Sequence, residues 1–534
     1  MRRLLLALPL LAAAPVAAQT LPADQAAIKA HVAFLASDAL RGREAGTADY
    51  DVAAEYMATQ MLAAGLVPAG GQGSWFQPVP LISYKSAGPG TLALVRGGTR
   101  VPLVYGKDFL NSVNPRVPDL AIGGEVLFAG YGVVDAASGR DDYKGLDLKG
   151  RIVALFAGAP TGLSSEVAAH AGNLETKAGF AAARGAKGLI VLESGAQRAS
   201  FPFERAVPLA GRTRMTINDA DGKPRVPSIG APQIALVSQA GAEKLFADSS
   251  VKWADVLAAE KAGTPLPTGP LNASVEAAFK TEISVSASRN VVGMLEGSDP
   301  ALRRQYVVLS AHLDHLAVGA GTTGDRISNG AMDNAIGNAT ILQVARAFQA
   351  SGTKPRRSIL FVSLTAEEKG LLGSRYFART PSVPGTLVAN INLDMPIMTF
   401  PLVDIVVLGG ERSILGKVAE KAAAAEGLKV VPDPFPEENF FVRSDHYSFV
   451  QAGVPAVSID TGPGGAGKAA IQDFLAKHYH KPSDDLSLPF DWASAAKFVR
   501  VGYGVARILA DTPARPTWNK GDFFGTLYGG PLAK

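Results

Sequence analysis

The chain has 534 residues, 47% of them hydrophobic and 19% charged, a globular composition without a large disordered portion and long enough for two domains. Its 52 basic and 48 acidic residues nearly balance, and Arg2 and Arg3 supply two of the four net positive charges. With no local Lys/Arg cluster, this balance argues against a nucleic-acid partner. Cysteine is absent, which excludes disulfides, a thiol nucleophile, cysteine-ligated zinc and a lipid-anchoring cysteine.

The first residues read as an export signal. Arg2 and Arg3 form a positive start, residues 4–14 an apolar core, and Val16-Ala17-Ala18 a small-residue cleavage site before Gln19. The apolar core is too short to span a bilayer, and no later stretch is both long and apolar enough. The expectation is a periplasmic or extracellular protein without stable membrane insertion.

Residues 45–65 predict an amphipathic helix, with Tyr50, Ala53, Ala54, Met57, Met61 and Leu62 at helical spacing and Gly65 as its stop. A Gly/Pro-rich passage follows, in which Trp75 and Phe76 are expected to pack on the core. Between residues 123 and 269 the texture changes. Short β-like runs at 125–129, 152–156 and 188–192 alternate with loops and one helix at 174–184, and His170 stands alone as a surface residue. This stretch reads as an inserted accessory unit.

From Asn290 the pattern becomes strand, loop, helix. The runs 306–310, 358–364, 388–393, 404–408 and 454–459 are short, branched and apolar, as strands buried on both faces of a parallel sheet are. A helix at 335–349 separates the first two, its stripe formed by Ile341, Val344, Ala345 and Phe348. The predicted class is α/β, a mostly parallel central sheet flanked by helices with a smaller β-rich insert.

Function in such sheets gathers beyond the carboxyl ends of the strands, and the polar residues fall there. His312-Leu313-Asp314-His315 follows the first run, Glu367-Glu368 the second and Asp394 the third; Asp333-Asn334 opens the intervening helix, and Tyr479-His480 follows the last strand. Carboxylates gathered at a half-buried rim repel one another, so a cation is their natural partner. Histidine with carboxylate and no sulfur suits zinc, with manganese or cobalt as alternatives. Two metals sharing one carboxylate, roughly 3.5–4 Å apart, is the economical arrangement.

In these residues the sequence resembles the zinc aminopeptidases that include aminopeptidase Y and the glutamate carboxypeptidase II group. The matching blocks are His312-Leu313-Asp314, Asp333-Asn334, Glu367-Glu368, Asp394, and Tyr479-His480 before Pro482 and Asp484, in family order over residues 290–511. The resemblance implies that His312 and Asp394 bind one zinc, Glu368 and His480 the other, and that Asp333 bridges them. It implies that Asp314 hydrogen-bonds the His312 imidazole and that Glu367 is the general base acting on a metal-bridged water. Tyr479 would donate to the oxyanion, and the Asp333–Asn334 peptide would be cis. The implied division is a signal peptide at 1–18, peptidase-domain segments at 19–120 and 273–511, a protease-associated-like insert at 121–272, and a tail at 512–534. His315 and His446 are set aside as structural or supporting residues. His478 competes with His480, which has the Tyr-before, Pro-two-after context.

The implied activity is an exported dizinc exopeptidase on peptide substrates, an aminopeptidase by family preference. The alternatives are a carboxypeptidase, for which Arg443 or Arg412 would meet the substrate carboxylate, a single-zinc glutaminyl cyclase, and a receptor-like member without catalysis. Residues 462–468 nearly fit a phosphate-cradling loop, but Ala469 stands where a magnesium-binding hydroxyl is needed. No G-x-S-x-G elbow or H-E-x-x-H helix is present.

Overall fold

The structure, a computed structural model, describes residues 21–135, 138–163, 165–319 and 324–534, so the expected signal segment lies outside the described residues. Two sheets share one strand. The 27-residue strand Gly269–Leu295 pairs through its first half with Thr91–Arg96 and Asp119–Phe128, and through its second half with Phe76–Ser86 and Ser358–Leu364. Its first half alternates strictly, with Leu271, Ala273, Val275, Ala277 and Phe279 buried, the period-2 signature of a sheet with one covered face.

The larger sheet carries the four parallel strands Ser358–Leu364, Gln305–His312, Thr386–Asn392 and Ala456–Thr461, side by side in that order. Antiparallel neighbours flank them, Gly269–Leu295 on one side and Asp404–Leu408 on the other. This is the α/β architecture with a mostly parallel centre. Its strands are apolar throughout because both faces are covered: every residue of Ser358–Leu364 is buried. On one face pack the helices Ala23–Leu35, Ile336–Ala350, Ile414–Ala425 and Trp492–Asp511, closing the main core around Val307, Leu309, Ile341 and Val505. The first of these helices was not expected, although Ile28, Val32 and Leu35 form its buried stripe.

The helix expected at 45–65 spans Ala48–Ala63. Thr47 caps it, its hydroxyl accepting from the Tyr50 amide at 3.2 Å. Gly65 ends it at a φ of 76°, a left-handed conformation that glycine adopts without a steric cost.

The second sheet joins Asp119–Phe128, Ile152–Phe156, Gly188–Leu192 and Gln233–Val237, all parallel, with Phe109–Asn111 antiparallel at its far edge. It has its own core around Phe128, Phe156, Ile190 and Trp253. His170 is partly buried in this unit and stands edge-on to Phe523 and Phe524 of the C-terminal segment. Among the described residues no helix is long and apolar enough to cross a membrane.

Candidate metal centre

The parallel strands deliver their polar ends to one rim. His312 closes the strand Gln305–His312, and its ring is buried. Its Nε2 lies 2.9 Å from Asp394 Oδ1 and 3.0 Å from Asp333 Oδ1. The other Asp333 oxygen, Oδ2, lies 3.3 Å from His480 Nε2 and 3.9 Å from His315 Nδ1. Glu368 joins that second group, 3.2 Å from His480 Nε2 and 2.8 Å from His315 Nδ1. Asp333 therefore turns one oxygen to each of two clusters. Within each of the groups His312–Asp333–Asp394 and His315–Asp333–Glu368, the donor atoms lie within 4.8 Å of one another. Such spacing suits a cation with bonds of about 2.0–2.2 Å to nitrogen and oxygen.

Three sequence expectations resolve here. His480, not His478, reaches the cluster: His478 is bonded to Ser483 Oγ at 2.9 Å on an exposed turn. His315, expected as a structural or supporting residue, places its Nδ1 2.8 Å from Glu368 Oε1, while its Nε2 is buried without a hydrogen bond. Asp314 is a correction. The His312 Nδ1 donates to the Asp314 backbone carbonyl at 2.9 Å, not to its carboxylate. That carboxylate instead accepts from the Glu367 amide at 3.0 Å and the Glu368 amide at 3.4 Å. It therefore fixes the turn that presents both glutamates.

Further support comes from the residues around these ligand candidates. Asp484 accepts from the amides of Met332 at 2.8 Å and Asp333 at 3.0 Å, holding the Asp333 backbone in place. Ser444 donates to Asp394 Oδ2 at 2.5 Å and accepts from Asn392 at 2.7 Å. A buried chain continues from there through Ser310 to Asn390. The Asp333–Asn334 peptide is cis, as the resemblance implied. Ala366, Met395 and His480 hold φ values of 53°, 54° and 59°, left-handed conformations that side chains rarely adopt. Each adjoins or belongs to the cluster, where surrounding packing must hold it.

The electrostatics show what the cluster draws in. Burial alone would lower the His312 pKa, but Asp394, Glu367 and Asp333 hold it well above the usual value. Burial likewise opposes His480, yet its bonds to Asp333 and Glu368 raise it to about 10. Burial works against ionised Asp333 and Glu368, and the imidazoles override it, holding Asp333 well below the carboxylate range and Glu368 at about 2. Glu367 goes the other way: burial, reinforced by Asp394, Glu368 and Asp445, pushes it well up. Burial pushes Asp445 up to about 7 and Asp314 to about 6. Paired titratable groups driven apart by their surroundings mark functional sites.

The cluster lines a cleft with Glu367, Arg443, Asp460 and Tyr479. Tyr479 stacks on the His480 ring with centroids 3.8 Å apart, and burial pushes its phenol up, keeping it protonated.

Residues 290–505 match the sequence profile of peptidase family M28. The match covers less than half of the chain. Over 189 residues the chain is 26% identical to the probable leucine aminopeptidase 2 of Aspergillus fumigatus, spanning 34% of this chain and 35% of that protein. Over 333 residues it is 26% identical to leupeptin-inactivating enzyme 1 of Streptomyces exfoliatus, spanning 59% and 69%. The chain thus matches about a third of the first relative's length. An aminopeptidase from Aneurinibacillus sp. strain AM-1 shares the fold, with a TM-score of 0.50 at 18% identity over 92% of this chain and 95% of that one.

Within the matched segment, the two arginines considered for a substrate carboxylate differ. Arg443 lines the cleft and donates to Glu438 at 3.1 Å. Arg412 pairs with Asp522 at 3.2 Å and packs over Phe441 and Phe524. The glycine-rich turn at 462–468 closes on a carboxylate of its own, Gly464 donating to Asp404 Oδ1 at 2.9 Å, which takes an amide that a phosphate would need.

Proposed function

We propose that this chain is a metallo-exopeptidase of the aminopeptidase type, with two zinc ions at the Asp333 cluster. The single observation that carries the reading is Asp333 itself, with Oδ1 facing His312 and Oδ2 facing His480. His312 and Asp394 would hold one ion, Glu368 and His480 the other, and Asp333 both, with His315 fixing the Glu368 carboxylate at 2.8 Å. Bound there, the ions would polarise a scissile carbonyl and acidify a water.

The chain's own residues handle the protons. Glu367 takes a proton from the attacking water and passes it to the departing amine; its raised pKa suits a group that must both accept and release. Tyr479, held protonated, donates to the developing oxyanion. With Asp333 and Asp394 committed to metal, Glu367 and Asp460 face the single arginine Arg443 among the cleft residues. That arginine is itself bonded to Glu438, so the cleft offers little to a substrate carboxylate. The name of the Aspergillus fumigatus relative supports the same choice.

We also infer export, on the strength of residues 2–18 alone. The unit expected at 121–272 is an accessory, protease-associated-like domain in this reading, its sheet also drawing in Thr91–Arg96.

Peptides with free and with acetylated N-termini test the proposal. Free peptides should lose residues from the N-terminus, a chelator should abolish the activity, and added zinc should restore it. Cleavage of acetylated peptides alone would overturn the aminopeptidase assignment.

A further inference from the structure

Beside the metal cleft lies a second, mainly apolar pocket. Its walls include Ile397, Val406, Phe435, Ile471 and Leu475. Met395, Leu408, Phe440 and Asp460 line both this pocket and the cleft, so the two adjoin across shared walls. A side chain on the residue whose carbonyl sits at the cluster has this pocket within reach.

The walls would suit a leucine-like side chain, except for two carboxylates. Asp433 and Asp460 both line the pocket, and among the described residues no lysine, arginine or histidine does. The backbone of Phe435 donates to Asp433 Oδ1 at 2.8 Å. Asp460 sits on the strand Ala456–Thr461 opposite Val406. Its carboxylate makes no side-chain hydrogen bond or ion pair with any described residue. An aspartate at an apolar wall, unpaired, costs folding energy unless a charge meets it. Burial, with Asp394 and Asp433 nearby, pushes the Asp460 carboxyl well up, a penalty that an incoming cation relieves.

Apolar walls with acids between them match a side chain that has an aliphatic stem and a cationic head. We propose that this pocket selects peptides whose N-terminal residue is lysine or arginine, and that Asp460 is the residue that sets the preference. The inference rests on the aminopeptidase reading above and deepens it by naming a substrate class.

The test compares lysyl-p-nitroanilide with norleucyl-p-nitroanilide, which keeps the stem and drops the ammonium, on the zinc-loaded full chain. The ratio of kcat/KM for lysine over norleucine should be at least about tenfold in the unaltered protein and fall toward one in Asp460→Asn. Because each ratio comes from one preparation, partial misfolding of the variant does not distort it. A ratio of one or less in the unaltered protein, or a ratio unchanged in Asp460→Asn, overturns the assignment while leaving the aminopeptidase reading standing. Release from neither substrate by metal-loaded protein removes that reading, and the pocket assignment falls with it.

Discussion

Glu367→Ala will lower kcat by about a thousandfold, within the ~10²–10⁴ contributed by positioned acid–base groups, while metal content stays as in the unaltered protein. Glu367 lines the cleft with His312, Asp333 and Asp394, but it belongs to neither metal-type cluster. Its amide is pinned by the Asp314 carboxylate, so its position survives changes at its own side chain. KM should move little, because a proton carrier acts on the transition state and not on ground-state binding. The pH profile gives a second readout. Burial and neighbouring charges raise the Glu367 pKa, and only the ionised form accepts a proton. Activity should therefore fall as pH drops through that raised value, and the variant should lose this acid limb. A variant with undiminished kcat would remove Glu367 as the base.

Arg43→Ala will destabilise the protein by at least about 3 kcal/mol, since each buried carbonyl left without a donor costs about 1–3 kcal/mol. Arg43 is buried completely. It donates to the carbonyls of Leu313 at 2.7 Å, Leu35 at 2.9 Å and Gly330 at 2.8 Å, and also to Asn329. These atoms belong to the strand end that carries His312, to the first helix and to the loop before Asp333. One guanidinium thus ties three segments together behind the cluster. Burial lowers its pKa, opposed by the charges of Asp333, Asp484, Asp314 and Glu368, so it also offsets part of the local negative charge. Lysine will not substitute, because one ammonium cannot serve the same fork of carbonyls. Thermal melting of the three proteins decides it. An Arg43→Ala protein melting with the unaltered one would show that the brace is dispensable.

Much of this was legible in the chain because the relevant signals are local. Ser358–Leu364 is a continuous branched run between Arg357 and Thr365, and its bounds are those the sequence predicts. The acids and histidines beyond the parallel strands point to one rim because parallel strands end on one side. What escaped depends on contacts distant in sequence. The second half of Gly269–Leu295 carries exposed residues from Glu282 to Val285 and is extended only because Phe76–Ser86 pairs with it. Ala23–Leu35 carries a readable stripe in Ile28, Val32 and Leu35. His315 gave no spacing signal, since it directly follows the His312-Leu313-Asp314 block; only the fold sets it against Glu368. Arg43 and Ser444 act through backbone carbonyls or a single carboxylate oxygen, and no residue pattern announces such partners. The Asp314 correction is of the same kind: backbone geometry, not residue type, decides whether carboxylate or carbonyl meets the imidazole.

The central claim is a shared metal centre at Asp333. Metal content per chain, measured by elemental analysis on protein saturated with zinc and freed of excess, tests it most directly. Two zinc ions per chain are expected, falling in Asp333→Ala. A single ion in the saturated protein, or two ions that persist when Asp333 is removed, would contradict it.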